Sequence, residues 1–258
     1  MDEQPLNLPL VRSLVTDFIY RQITRAGFQR AVIGLSGGLD SGLACFLAAE
    51  ALGAQNVLAV RMPYRTSSPE SLEHAQMVID QLGVPSLTLP ITEMVDPYLE
   101  RFPGISDLRR GNILARQRMV VLFDQSAAFN GLVVGTGNKT EILLGYTTLY
   151  GDSACAFLPL GDLYKTQVRQ LSREMGVPAV IIEKPPSADL WADQTDEGEL
   201  GFTYAEVDRL LFLLIEQQHT PAECVLAGFN QAFVQSVVGR IQRNHFKRVL
   251  PPVAKVNI

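Results

Sequence analysis

Apolar positions along the chain repeat at two different spacings. Over residues 9–26, Leu10, Val11, Leu14, Val15, Phe18, Ile19 and Ile23 recur three and four apart, which is one helix face, and Gly27 ends the run. Ala31–Leu35 is short and apolar throughout, as suits a strand buried on both faces. An apolar helix then runs to Leu52 and stops at Gly53, and Asn56–Met62 is a second strand. Ser68-Pro69-Glu70-Ser71 opens a helix, with serine as cap and proline in the first turn, that reaches Leu82 and Gly83. Ser86–Leu89 is a third strand, residues 107–129 a longer helix, Leu132–Gly135 a fourth strand and Ala154–Leu158 a fifth. Helices over 162–175, 203–217, 221–228 and 230–244 fill the rest, and Pro185–Gly201 is the longest stretch with no element. Strands alternating with helices predict an α/β fold: a doubly wound, five-stranded parallel sheet with a helical C-terminal part. That helical part would cover a sheet edge or form a partner surface. There is no internal repeat.

Composition narrows this little but excludes several classes. The 258 residues, 47% hydrophobic and 19% charged, suit one globular domain over 1–258. With 22 basic against 27 acidic side chains the net charge is −5, which gives no general field for nucleic acid or an anionic membrane. Cys45, Cys155 and Cys224 are widely spaced and form no CxxC pair, so reduced thiols in a cytoplasmic protein are expected. The N-terminus lacks the basic and apolar regions of a signal peptide, and no apolar run approaches a membrane span.

The chemistry concentrates at Gly34-Leu35-Ser36-Gly37-Gly38-Leu39-Asp40-Ser41, between the first strand and its helix. Adjacent glycines let backbone N–H groups approach a polyanion, and the helix start adds oriented donors. Ser36 and Ser41 add hydroxyls. A Walker A loop would need a lysine where this chain has Asp40, and no dinucleotide GxGxxG is present. A bare carboxylate beside phosphates repels them, so Asp40 reads as a Mg²⁺ ligand. The segment resembles the PP-loop of the ATP pyrophosphatases, whose sheet is of the adenine nucleotide alpha hydrolase type. Members cleave ATP between the α- and β-phosphates. That resemblance leaves GMP, asparagine, argininosuccinate or NAD synthesis and tRNA thiolation all open.

Five further segments follow in order. Asn112, Arg116 and Met119 share a helix face, fit for an anionic polar substrate or for a solvated basic face. Gly135-Thr136-Gly137-Asn138-Lys139-Thr140-Glu141 follows the fourth strand, where open α/β sheets bind ligands, so Glu141 is placed to share a metal with Asp40. Tyr146 can stack on a flat heterocycle, and Asp152 can hold a small cation, act as a general base or simply close a turn. Lys165 stands at a helix start, against the helix dipole, as a phosphate contact or a surface lysine. In Lys184–Leu190, Ser187 offers a hydroxyl to phosphate or metal, and the acidic 193–199 stretch is a candidate lid or a solvated linker.

Together these segments resemble the ammonia-dependent NAD synthetases. The match comprises the PP-loop, Gly-Asn-x-x-Ala-Arg-x-Arg-Met, Gly-Thr-x-Asn-x-x-Glu, Gly-Tyr-x-Thr with Gly-Asp, Leu-x-Lys-x-Gln-Val, and Lys-x-Pro-Ser-Ala-x-Leu with Asp-Glu-x-Glu-Leu-Gly. Each is weak alone; the collinear set over 34–201 is specific, and Phe246-Lys247-Arg248 with Pro251-Pro252 extends it over nearly the whole chain. Many members read His-Lys-Arg there, whereas here Phe246 separates His245 from Lys247.

The resemblance implies that deamido-NAD, ATP and ammonia give NAD, AMP and pyrophosphate through an adenylate. It assigns Mg²⁺ to Asp40, Glu141 and Ser187. It assigns ATP to residues 34–41, Arg61, Thr136, Lys165 and Ser187. It assigns deamido-NAD to Asn112, Arg116, Tyr146, Asp152, Glu199, Phe246 and Lys247. Asp152 and Lys165 are the candidate catalytic pair. It also implies a homodimer. Rival readings are another PP-loop ligase, which would want a glutaminase or tRNA-binding extension, and a non-catalytic ATP sensor, which would need no Glu141, Asp152 or lid. The length leaves no room for a glutaminase domain, so free ammonia is expected unless a separate glutaminase subunit delivers it.

Overall fold

The computed structural model describes residues 6–187 and 195–256. Its sheet has four parallel strands: β1 (Ala31–Gly34), β2 (Val57–Arg61), β3 (Ser86–Thr88) and β4 (Leu132–Val133), in the order β3-β2-β1-β4. The register pairs Ala31 with both Val57 and Leu132, and Val60 with Leu87. The expected fifth strand is a correction. Ala154–Leu158 makes a single parallel bridge, Val134 to Phe157, held by Gly135 N–H to Phe157 O at 3.0 Å and Ala156 N–H to Val133 O at 2.9 Å. The turn that returns Ala154 N–H to Gly151 O precedes it, and Pro159, which has no N–H, follows. Gly135 permits the approach: a Cβ there would lie 2.5 Å from Cys155 Sγ.

Side chains of successive strand residues point to opposite faces, and each face has its own core. Ala31, Ile33, Val57 and Ala59 face α1 (Leu8–Arg25), α2 (Leu39–Leu52), α3 (Pro69–Leu82) and α7 (Lys165–Glu174). Val32, Leu58 and Val60 face α4 (Thr92–Leu99) and α5 (Asp107–Phe129). Helices on both faces make the sheet doubly wound. Helix α2 is buried from Ser41 to Ala48, which explains why its sequence is apolar on every side. A third core unites α6 (Lys139–Leu144), α9 (Asp196–Leu200), α10 (Tyr204–Leu211), α11 (Pro221–Leu226) and α12 (Gln231–Arg243). This is the expected helical C-terminal part.

Four α-helices were not anticipated: α4, α6, α8 (Ala179–Glu183) and α9. Helix α4 contains Pro97, whose ring and missing N–H disguise a helix in the sequence. Helix α9 lies inside the expected structureless loop. Thr195 caps it by accepting Gly198 N–H, its first turn is acidic, as the dipole favours, and Gly201 ends it at φ +82°. Helix α10 also ends earlier than the pattern suggests, passing into a π-helical turn over Phe212–Glu216. All three cysteines are free, and no described helix is long and apolar enough to cross a membrane.

The strand order has one consequence for function. From β1 the chain winds outward to β3, then returns to place β4 on the other side of β1. The loops after β1 and β4 therefore leave in opposite directions and open a crevice at the carboxyl ends of the strands.

Candidate active site

The loop after β1 is held by its own hydroxyls. Ser41 Oγ donates to Gly38 O at 3.0 Å and accepts Ser36 N–H at 3.3 Å, and Ser36 Oγ accepts Gly38 N–H at 3.3 Å. Gly37 adopts φ +80° and lies so close to α3 that a Cβ would stand 2.0 Å from Ser71 O. Gly38 caps α2 with no side chain of its own, which leaves the first N–H groups of that helix open to a ligand.

The loop after β4 enters α6 through a capping box. Asn138 Oδ1 accepts Glu141 N–H at 3.0 Å, and Glu141 Oε2 accepts Asn138 N–H at 3.3 Å. Asn138 Nδ2 also donates to Asp40 Oδ1 at 2.8 Å, which ties the two loops together. Between them stands Lys165. Its Nζ lies 2.5 Å from Asp40 Oδ2 and 3.0 Å from Glu141 Oε1, and its side chain is 5% exposed. Burial works against the Lys165 charge, yet Asp40 and Glu141 outweigh it and hold the ammonium above its ordinary range. Burial pushes the Glu141 carboxyl up to about 7 despite that ammonium, with Asp40 adding to the rise.

Lys165 begins α7, where a cation opposes the helix dipole. The compensation comes from α10. Buried Asp208 accepts Thr166 N–H at 2.8 Å and the Thr140 hydroxyl at 2.5 Å, while Thr140 Oγ1 accepts Lys165 N–H at 3.0 Å. Asp208→Ala is expected to strip two donors of their acceptor at a buried helix start, a loss of about 1–3 kcal/mol for each group left unpaired. Thermal unfolding checks this: the midpoint should fall by several degrees, at about 2–4 °C per kcal/mol for a chain of this size. An unchanged midpoint would remove Asp208 from the support of α7.

Helix α9 lies across the other side. Asp196, 4% exposed, accepts Tyr204 Oη at 3.0 Å and Tyr146 Oη at 3.2 Å, and Tyr146 Oη also donates to Glu199 at 2.8 Å. Tyr204 presents its ring to the Lys165 ammonium 5.1 Å away. Burial and these carboxylates push the Tyr146 hydroxyl well above its usual range, so it stays a donor.

These elements wall a cavity of roughly 990 Å³. Of the predicted site residues, Gly34, Leu35, Ser36, Gly38, Leu39, Asp40, Ser41, Arg61, Asn112, Thr136, Glu141, Tyr146, Asp152, Lys165, Ser187, Glu199 and Lys247 line it. Arg116, Phe246 and Gly37 do not. Arg116 is exposed, with Nε donating to Leu149 O at 3.2 Å, and Phe246 is 57% exposed. Arg118, two residues from Arg116, faces the cavity instead. Asn112 Oδ1 accepts the Thr148 hydroxyl at 2.9 Å, and Asp152 Oδ1 accepts Thr148 N–H at 2.7 Å. Asp152 opens onto the cavity but is surrounded by protein beyond it, and burial raises its carboxyl. Lys247 Nζ donates to Gly145 O and Thr147 O, both at 2.8 Å. Ala188, Asp189, Leu190, Asp193 and Gln194 of the lid motifs lie outside the described residues.

Four residues escaped the sequence reading. The Asn138-x-x-Glu141 capping box was legible as a pattern. Asp196 carried only the general acidity of its stretch. Asp208 and Arg240 sit on helices whose sequence marks no site, and only tertiary contact shows their roles.

Comparison with known proteins places the chain in a family. The NAD synthase family model matches residues 11–251. A protein of Trichlorobacter lovleyi named NH₃-dependent NAD⁺ synthetase is 57% identical over all of this chain and 94% of its own length. The NH₃-dependent NAD synthetase of Campylobacter jejuni, solved with nitrate, superposes with a TM-score of 0.83 at 32% identity, covering 97% of this chain and all of that one. NMN synthetase of Francisella tularensis superposes at 0.86 with 29% identity over 98% of this chain and all of that one. Matched over this extent by model, sequence and fold, the chain belongs to the NAD synthase family.

Proposed function

We propose that the chain amidates deamido-NAD with ammonia at the expense of ATP, releasing AMP and pyrophosphate. The observation that carries this reading is the meeting of Asp40 and Glu141 on buried Lys165 where the β1 and β4 loops diverge. A carboxylate is a poor electrophile, because ammonia cannot displace an oxide. Its oxygen therefore attacks the α-phosphorus of ATP, pyrophosphate leaves, and a mixed anhydride forms. Ammonia then attacks the carbonyl carbon and AMP departs with that oxygen. The open N–H groups at the start of α2, Ser36, Ser41 and Lys165 serve the phosphates, with Arg61 and Thr136 toward the rest of ATP. Asn112 and Tyr146 hold the pyridine nucleotide, with Glu199 and Lys247 at its edge. Arg116 and Phe246, exposed on this chain, reach it only across a dimer. Asp152 binds ammonium or takes the proton that nitrogen sheds, a task suited to a carboxyl raised by burial. The lid shields the anhydride from water.

Magnesium fits the donor set. Asp40, Glu141 and Asp196 outnumber the single ammonium of Lys165 at this end of the cavity, an excess of charge on hard oxygen donors. Among the described residues no three His, Cys, Asp or Glu side chains come together as a metal site on their own; Asp40, Glu141 and the Ser187 hydroxyl would hold the ion together with the phosphates of ATP. Such an ion would neutralise charge on the departing pyrophosphate.

The reading extends to a cytoplasmic homodimer. Met94 and Tyr98 on α4 and Leu108, Val120 and Phe123 on α5 are all 44–65% exposed, apolar side chains on two neighbouring helices that a second copy would cover. Sedimentation should read twice the chain mass.

The deciding assay mixes the protein with MgATP, deamido-NAD and ammonium. NAD and AMP should appear one to one; ADP in place of AMP, or no NAD, overturns the reading. The likeness to NMN synthetase supports a second substrate, nicotinate mononucleotide, and the same assay run with it ranks the two. The 57% identity to a NAD synthetase, against 29% to the NMN enzyme, favours the dinucleotide.

A further inference from the structure

The corner of the cavity beside Tyr146 holds two cations, and only one is committed. Lys247 is bound to the carbonyls of Gly145 and Thr147. Arg240, from α12, lines the same cavity with its Cζ 5.8 Å from the centroid of the Tyr146 ring. Its Nε is buried and has no hydrogen-bond partner among the described residues, and no carboxylate among them lies within ion-pair distance. Glu199, the acid nearest in effect, receives the Tyr146 hydroxyl instead. The guanidinium thus lines the cavity without a counter-charge among the described residues, and a bound anion is the partner that such a half-buried cation takes. Arg240 and Tyr146 stand side by side on the cavity wall, so a flat group resting beside the tyrosine would bring its edge to the guanidinium. A planar fork of N–H donors matches a carboxylate better than any neutral group.

We propose that Arg240 reads the charge of the pyridine substituent, engaging the substrate carboxylate and losing that contact when the carboxylate becomes an amide. This rests on the amidation reading above and deepens it. The substrate is an anion at this position and the product is neutral, so the same side chain that favours entry of the acid favours departure of the amide. Arg240 thereby sets the order of affinities that keeps the enzyme from being blocked by its own product.

The test measures binding of deamido-NAD and of NAD, without ATP, to the wild type, R240Q and R240K by titration calorimetry. The two ligands share every phosphate and ribose and differ only in the carboxylate. The wild type should bind the acid at least ~10-fold more tightly than the amide, the range of one charge-assisted contact. R240Q should weaken the acid ~10–100-fold and leave the amide within about twofold, and R240K should retain part of the preference. In turnover, KM for deamido-NAD should rise while KM for ATP stays. Equal losses for acid and amide would mean that Arg240 serves the phosphates or merely supports Tyr146, and would overturn the proposal, as would no loss for either. If R240Q does not fold, R240K decides: an undiminished preference for the acid overturns the proposal. Failure of the amidation reading is separate, since it shows as a wild type that makes no NAD, whatever its binding order.

Discussion

Asp40→Asn and Glu141→Gln are each expected to lower turnover by about 10²–10³-fold or more, the range for removing one preorganised electrostatic group. Both changes keep volume and remove charge. Asp40 offers one oxygen to Lys165 and the other to Asn138 Nδ2, so both its oxygens must accept. An asparagine presents one oxygen and one NH₂, and whichever way it turns, a donor faces a donor. The same holds for Glu141, whose two oxygens serve Lys165 and Asn138 N–H. Each variant leaves Lys165 with one carboxylate instead of two, and the proposed cation site with one less anionic ligand. Breaking a buried ion pair destabilises by about 3–5 kcal/mol, and the surviving carboxylate places these variants at the lower end. NAD and AMP formation at saturating substrates reads the effect, with the unfolding midpoint recorded alongside. Near-normal turnover in either variant would exclude that residue from the reaction.

Gly37→Ala should abolish ATP binding and destabilise the fold by at least about 2–3 kcal/mol, for two reasons that add. The residue sits at φ +80°, which a side chain disfavours, and its Cβ would meet the backbone oxygen of Ser71 at 2.0 Å. That oxygen belongs to the first turn of α3, and no rotamer change can move it. Either the phosphate loop or α3 must shift, and the N–H groups at the start of α2 lose their aim. Gly27 is the control. Its φ is +82°, yet a Cβ there meets nothing within 4 Å. Gly27→Ala should therefore lose only about 1 kcal/mol and leave ATP affinity unchanged. Equal behaviour of the two variants in nucleotide titration would show that the close approach to α3 is unimportant.

The pattern of this chain made much of the fold legible because its elements obey local rules. Continuous burial in β1, β2 and α2 follows from elements sandwiched on both faces. Where the reading failed, local and tertiary forces disagreed. The run Ala154–Leu158 is as apolar as a strand, but turn and proline confine it to one bridge. Pro97 argued against a helix that tertiary packing of Val95 and Leu99 maintains. Thr195-Asp196-Glu197 falls in a stretch that reads as a lid or a linker without an element of its own, although threonine followed by acids is also how a helix begins.

The site divides in the same way. Glycines, hydroxyls and an acid between a strand and a helix were sufficient by themselves to single out the loop after β1 that lines the cavity, because backbone conformation and helix-end donors are local properties. The sequence also determined the family, through motifs whose order no chance pattern reproduces. Partnership was decided only in three dimensions. Lys165, read as a phosphate contact or a surface lysine, is buried between two carboxylates that lie 125 and 24 residues away in sequence. Tyr146 bonds α9 through its hydroxyl, Arg118 rather than Arg116 faces the cavity, and Arg240 arrives from a helix with no recognisable motif. Charge interactions depend on distance through space and on the exclusion of water, and neither is a function of spacing along the chain. The identity of the charged groups was therefore legible in the sequence, while the tertiary structure alone decided which of them meet.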